Sequence, residues 1–182
     1  AFTLKIEAMS TPSISIVIPC YNCAPYLQRC LDSILEAQPK DLNLELICVD
    51  DASTDPTLSI LQTYAQRYPI QVIALAQNAG PAAARNAGSS TARGRYLWFF
   101  DSDDFLLPQV WPRLLALMQR YPDQDMYAFG YETTQGQARK IVSKPPFRLR
   151  GEAGQILKAT AICVEIFASM RFFPWNKIIR RQ

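Results

Sequence analysis

Histidine is absent from all 182 residues. A Ser-His-Asp hydrolase triad is therefore excluded, and the chain also lacks the GxSxG elbow that such enzymes place between strand and helix. The segment Cys20-Tyr-Asn-Cys23 reads as CxxC. A tetrahedral zinc site would need two more ligands, and there is neither histidine nor a second cysteine pair to supply them. Five cysteines, an odd number, with no secretory signal argue against a disulfide framework. A thioredoxin-like redox pair is the surviving alternative for the CxxC, since that fold also sets its motif just after a strand.

Other absences narrow the field further. Neither GxxxxGK[ST] nor GxGxxG occurs after the first strand-like run, which disfavours kinases, P-loop NTPases and dinucleotide dehydrogenases. No apolar run approaches the ~18 residues of a membrane span, and no charged segment followed by an apolar one marks a signal peptide, so a cytoplasmic location is expected. Residues 1–8 precede a Met9 that resembles a native start. They are read as an appended, disordered N-terminus and left out of the fold.

What is present has the makeup of one globular α/β domain, 49% hydrophobic and 19% charged. The net charge of +3 is too small to imply nucleic acid, but it is unevenly spread. Residues 1–91 carry 5 Lys/Arg and 8 Asp/Glu, whereas residues 92–182 carry 14 and 8. The surplus includes Arg139, Lys140, Lys144, Arg148 and Arg150. This cluster reads as a solvated basic hairpin or loop, or alternatively as a face for phosphates, an anionic acceptor or a peripheral membrane contact.

Short β-branched runs alternate with longer amphipathic stretches, the pattern of βαβ units and a parallel sheet. Strands are expected at 14–18, 44–49, 70–75, 96–100 and 126–131, and helices at 26–37, 56–68, from about 81 to 88, 108–121 and 153–170. Thr54 or Asp55 followed by Pro56 writes a helix start. Residues 132–151, with Gly136, Pro145, Pro146 and Gly151, form a loop or hairpin.

In an open parallel sheet, ligands bind beyond the carboxyl ends of the strands. Polar residues gather at those ends here: Tyr21 and Asn22, Asp50 and Asp51, and the run Asp101-Ser-Asp-Asp104. Three carboxylates in four residues repel one another and raise each other's affinity for protons, a cost that a divalent cation removes. Oxygen ligands in this pattern suit Mg²⁺ or Mn²⁺, which take one or two carboxylates together with substrate phosphates. The competing reading makes the cluster an N-cap for the helix near Pro108.

Five strings in order then identify a resemblance. Ile16-Val-Ile-Pro-Cys-Tyr-Asn22, Val49-Asp-Asp-Ala-Ser-Thr-Asp55, Asn78-Ala-Gly80 with Ala84-Arg-Asn-Ala-Gly88, Gly94 to Asp104, and Pro174-Trp-Asn-Lys177 resemble the family 2 glycosyltransferases across about residues 13–180. The resemblance implies a GT-A fold, a mostly parallel central sheet flanked by helices, over 9–182. It implies that Tyr21 and Asp51, beside Pro19, hold the nucleobase, with Asp50 a lesser partner. Arg85 matches an arginine reaching toward base or phosphate. Asp101 and Asp103 match a DxD motif, in which Asp103 meets ribose or metal and Asp104 is the alternative metal ligand. Trp175 is a candidate for the acceptor or sugar pocket. Such enzymes usually carry their catalytic carboxylate some tens of residues after the Pro-Trp-x-Lys segment, so the base is expected beyond Gln182. The implied activity is inverting, metal-dependent transfer from a nucleoside-diphosphate sugar, UDP-linked by preference, to a saccharide or lipid-linked acceptor in cell-surface polysaccharide synthesis. The alternatives are a nucleotidyltransferase and a non-catalytic nucleotide-sugar-binding module.

Overall fold

A computed structural model describes residues 13–121, 124–128, 131–135, 138–144 and 177–181; for 131–135 and 138–144 it describes the backbone. The element order is β1 (Ile14–Cys20), α1 (Ala24–Leu35), β2 (Leu44–Asp50), α2 (Thr57–Ala65), β3 (Ile70–Ala74), α3 (Pro81–Thr91), β4 (Tyr96–Phe99), α4 (Val110–Arg120), β5 (Met126–Ala128), β6 (Tyr131–Gln135), β7 (Ala138–Lys144) and β8 (Lys177–Arg180). Six strands form one sheet in the order β3-β2-β1-β4-β8-β5. The first four are parallel, as the alternation of runs predicts.

Two differences from the sequence reading concern the far edge. The expected strand at 126–131 ends at Ala128, and Tyr131 opens the hairpin of β6 and β7 instead. Strand β8 was not anticipated: it lies antiparallel between β4 and β5, pairing Trp98 with Ile178 and Tyr127 with Ile178 from either side. The expected helix at 153–170, Trp175, Arg148 and Arg150 lie outside the described residues.

The two faces of the sheet are packed differently. Ile14, Ile16 and Ile18 of β1, Leu46 and Cys48 of β2 and Trp98 of β4 meet Leu27, Leu31 and Ile34 of α1, Leu61 of α2 and Trp111 of α4. On the opposite face Val17, Ile47 and Val49 meet Ala84 of α3 and Ala92 just after it. Helix α3 is rich in alanine, glycine and serine, which lets it lie almost on the sheet. A Cβ added to Gly88 would sit 2.4 Å from Val17 Cγ1, closer than packed carbons approach. That close seat fixes the height of α3 and of Arg85 one turn earlier.

At the amino ends of the strands a buried polar network ties β1, β2 and β4 together. The Ser15 hydroxyl donates to Glu45 Oε2 at 2.6 Å and accepts from the Gly94 N–H at 2.7 Å. The Arg93 N–H donates to the same Oε2 at 2.7 Å, and its Nε–H to Oε1 at 3.0 Å. A Cβ at Gly94 would come within 2.5 Å of the Ser15 backbone nitrogen, so only glycine lets the chain enter β4 here.

Burial opposes ionisation of Glu45, but the Arg93 N–H, the Ser15 hydroxyl and the Arg93 guanidinium outweigh it and hold the carboxyl below its usual range. A carboxyl depressed on folding stabilises fully above its unfolded pKa, about 4.3, and that contribution is lost as pH falls through the folded value. The melting temperature is expected to be flat above ~pH 5 and to fall below it, with a shallower fall in Glu45→Gln. Identical acid slopes for the two proteins in a thermal melt series would assign the acid lability to other carboxylates.

Candidate functional site

The order β3-β2-β1-β4 runs one way from β1 to β3 and the other way to β4, so the switch point lies between β1 and β4. A cleft of about 540 Å³ opens there. One wall is the turn from β1 into α1, with Pro19, Tyr21 and Tyr26; the other is the 78–80 turn and the start of α3, with Arg85. Asp51 and the Asp101–Asp103 loop complete the lining. The structure thus brings together Pro19, Tyr21, Asp51, Arg85, Asp101 and Asp103 from four separate segments of the sequence.

Asp51 is only 2% exposed. Its Oδ1 accepts the Ala79 N–H and its Oδ2 the Gly80 N–H, both at 2.8 Å. Gly80 is the N-cap of α3, at φ +86°, where a side chain would be strained. Asp51 therefore places a negative charge at the N-terminus of α3 and holds the 78–80 turn in place, roles that sequence did not reveal. Asp50 points elsewhere: it is buried, absent from the cleft lining, and its Oδ2 accepts the Ser53 N–H at 3.3 Å. It does not join the other predicted base-site residues.

Tyr21 is held out into solvent, 49% exposed, by a lock between the β1–α1 and β2–α2 turns. Asn22 adopts φ +48° and Ala52 φ +56°, left-handed conformations that asparagine accepts more readily than alanine. The Asn22 Oδ1 accepts the Thr54 N–H at 2.8 Å and the Asp55 N–H at 3.3 Å, while the Asn22 N–H donates to Ser53 Oγ at 3.0 Å. Asp55 accepts the Thr57 N–H at 2.9 Å and the Ala24 N–H at 3.1 Å, so one carboxylate serves the starts of both α2 and α1. The sequence marks Asp55 as a cap of α2; its second bond, to α1, needed the fold.

Arg85 reaches the cleft, but its Nη2 makes a 2.7 Å ion pair with Asp101 Oδ1. Asp101 is thereby balanced, and Asp103 is the exposed carboxylate of the loop. Burial, then the charges of Asp103 and Asp101, push the Asp104 carboxyl up to about 6 against the opposing pull of Arg29. Helix α4 begins at Val110 with no side-chain cap, so the aspartates do not serve as its N-cap. Among the described residues no three Asp, Glu, Cys or His side chains form a closed cage. An open set of one or two carboxylates, completed by phosphate oxygens, is still the arrangement that Mg²⁺ or Mn²⁺ takes, and Asp103 fits it; Asp104 follows it in the loop but is not part of the cleft lining. Cys20, Cys23, Cys30 and Cys48 are free and buried; the neighbouring Cys20 thiol and burial raise the thiol of Cys23, and burial raises that of Cys30, unlike the activated cysteines of redox motifs.

The family model for glycosyl transferase family 2 matches residues 15–179. The chain belongs to glycosyl transferase family 2. A putative glycosyltransferase of Bacillus subtilis, EpsH, is 36% identical over 175 residues, covering 95% of this chain and 48% of that protein. The poly(ribitol-phosphate) beta-glucosyltransferase of Bacillus spizizenii is 44% identical over 96 residues, 51% of this chain and 15% of that protein. Among solved structures, residues 1–349 of S. aureus TarS in complex with UDP superpose with a TM-score of 0.73 at 26% identity, over 92% of this chain and 46% of that one. The same TarS fragment is also known with UDP-GlcNAc. The chain thus spans less than half the length of each of these family members, and the likeness to TarS gives it the GT-A fold. Among the described residues no helix is long and apolar enough to cross a membrane.

Proposed function

We propose that this chain is the nucleotide-sugar-binding part of an inverting, metal-dependent glycosyltransferase that uses a UDP-linked donor. The observation that carries the reading is the span of the cleft. Asp51 and Tyr21 lie along the turns of β1 and β2, and Asp101 to Asp103 lie at the end of β4, all within one volume of about 540 Å³. A nucleoside diphosphate has the same polarity, a planar base at one end and charge at the other. The UDP and UDP-GlcNAc complexes of TarS, and the Mn²⁺ beside GDP-mannose in a Pyrobaculum mannosyltransferase of 27% identity and TM-score 0.54, support the same choice of ligand and ion.

On this reading, the exposed Tyr21 ring stacks on the base, and Asp51, an acceptor only, takes the uracil N3–H. Arg85 offsets the charge of Asp101 and holds it in place. Asp103 and Asp104 would hold the divalent cation, which neutralises charge on the leaving diphosphate. A carboxylate base, placed by the family resemblance after Pro174–Lys177, would deprotonate the acceptor hydroxyl for direct displacement at the anomeric carbon, with inversion. Relatives named as a poly(ribitol-phosphate) glucosyltransferase and a chondroitin synthase support a saccharide or lipid-linked acceptor in surface polysaccharide synthesis. The residues that would choose the acceptor, Trp175 among them, lie outside the described residues.

Calorimetry with UDP, GDP and their sugars in Mn²⁺ tests the reading. UDP and a UDP-sugar are expected to bind, and GDP more weakly. A protein that binds none of them would overturn the proposal, and one that prefers GDP would overturn the choice of base.

A further inference from the structure

One large side chain in the cleft has no role so far. Tyr26, in the first turn of α1, is 51% exposed, lines the cleft, and its hydroxyl has no hydrogen-bond partner among the described residues. An aromatic ring left half in water next to a ligand cleft is a poor packing element and a good contact surface.

Its position along the cleft follows from its neighbours on the helix. Tyr26 lies between Cys23, the N-cap of α1, and Cys30, one turn further along the helix. Cys23 and Ser102 both line the cleft, and the Cys30 thiol donates to the Asp101 carbonyl at 3.8 Å. The first two turns of α1 therefore run alongside the carboxylate loop, and Tyr26 shares the cleft lining with Asp101, Ser102 and Asp103. The Phe105 ring stacked 4.4 Å from the Arg29 guanidinium, and the Leu106 N–H bonded to Ser33 Oγ at 2.9 Å, hold the same loop against later turns of α1. Asp51, by contrast, is bound to Ala79 and Gly80 on the other wall.

We propose that Tyr26 is a specificity-determining contact for the diphosphate-sugar half of the donor, its ring or hydroxyl engaging the part of the ligand that lies over the Asp101–Asp103 loop. The assignment rests on the donor-binding reading above and deepens it. A phenol suits this place because its face packs on the C–H surface of a pyranose, and its hydroxyl donates to a phosphate or sugar oxygen. Tyr26 and Tyr21 then divide the ligand between them, one at each half.

The test is titration of wild type, Tyr26→Phe and Tyr26→Ala with uridine, UDP and a UDP-hexose in Mn²⁺, with thermal melts of all three proteins. The half-exposed ring should be removable without unfolding, and Tyr26→Phe keeps the ring should alanine disturb the helix. Tyr26→Ala is expected to leave uridine within twofold and to weaken the UDP-hexose about tenfold. Loss confined to the UDP-hexose and restored in Tyr26→Phe supports a ring on the sugar. Loss shared by UDP and persisting in Tyr26→Phe supports a hydroxyl on phosphate. An equal loss for uridine, or no loss for any ligand, overturns the assignment while leaving the nucleotide site intact. A wild type that binds none of the three overturns the donor reading, and this assignment with it.

Discussion

Asp51→Ala is expected to weaken UDP binding by a hundredfold or more, about 3 kcal/mol, and Asp51→Asn by less, about 1–3 kcal/mol. The asymmetry comes from what the carboxylate already does. Its two oxygens accept the Ala79 and Gly80 N–H groups, and hydrogen bonds to a charged acceptor contribute about 1.5–3 kcal/mol each. Alanine releases both, frees the turn that caps α3, and removes the acceptor proposed for the base. Asparagine keeps one acceptor oxygen but turns its own NH₂ toward a backbone donor and loses charge assistance. Because the 78–80 turn is partly solvated, water recovers some of the loss, which keeps the expected destabilisation of the free protein below the sum of the two bonds. Titrating both variants with UDP and with uridine, alongside melts without ligand, separates the two roles. A lowered melting temperature with unchanged uridine affinity would make Asp51 a clamp alone, and the base would have to lie elsewhere in the cleft.

The same residue shows where sequence reading stops. That Asp51 stands at a strand end was legible, because a continuous apolar run such as Leu46–Val49 can emit charge only where it leaves the core. Strands β1 to β4 were legible for the same reason; α2 was legible too, but it begins at Thr57 with Pro56 as its N-cap, one residue later than the expected Pro56 start. The start of α1 came two residues earlier than expected, since Pro25 is tolerated in a first turn and does not delay the helix. Strand β8 was not legible: Lys-Ile-Ile-Arg is too short to carry a period, and it becomes a strand by pairing with β4 and β5 on either side. Within the site, the residue types were readable and their partners were not. Nothing local to Arg85 says that it pairs with Asp101, and nothing local to Asp51 says that it grips Gly80; those contacts exist because the poor side chains of α3 let that helix settle on Val17. Asp50, adjacent to Asp51 in sequence, is separated from it in function by the strand alternation that sends neighbouring side chains to opposite faces. Nothing local to Tyr26 marks it as a site residue, because an aromatic in an amphipathic helix fits a core position as well as a surface one.

Removing divalent cations is expected to cut UDP affinity by about a thousandfold, and Asp103→Ala to approach the same loss with Mn²⁺ present. Two unit charges ~4 Å apart repel by about 4 kcal/mol at an effective dielectric of 20, roughly three powers of ten in affinity. Arg85 already balances Asp101, so the carboxylate of the cleft lining left facing a diphosphate is Asp103, with Asp104 next to it in the loop. A bound dication turns that repulsion into attraction, which makes the sign of the Asp103→Ala effect depend on the metal. With Mn²⁺ the variant should bind worse than wild type, having lost a ligand. In EDTA it should bind better than wild type, having lost a repelling charge. Asp103 is exposed and caps no helix, so its removal should leave the melting temperature unchanged. Equal UDP affinity in Mn²⁺ and in EDTA would remove the cation from this site. Unfolding of Asp103→Ala would instead give the loop a structural role. Weaker binding by the variant in both conditions would mean that Asp103 bonds the ligand directly, as it would if it met the ribose, and the cation would then rest on Asp104.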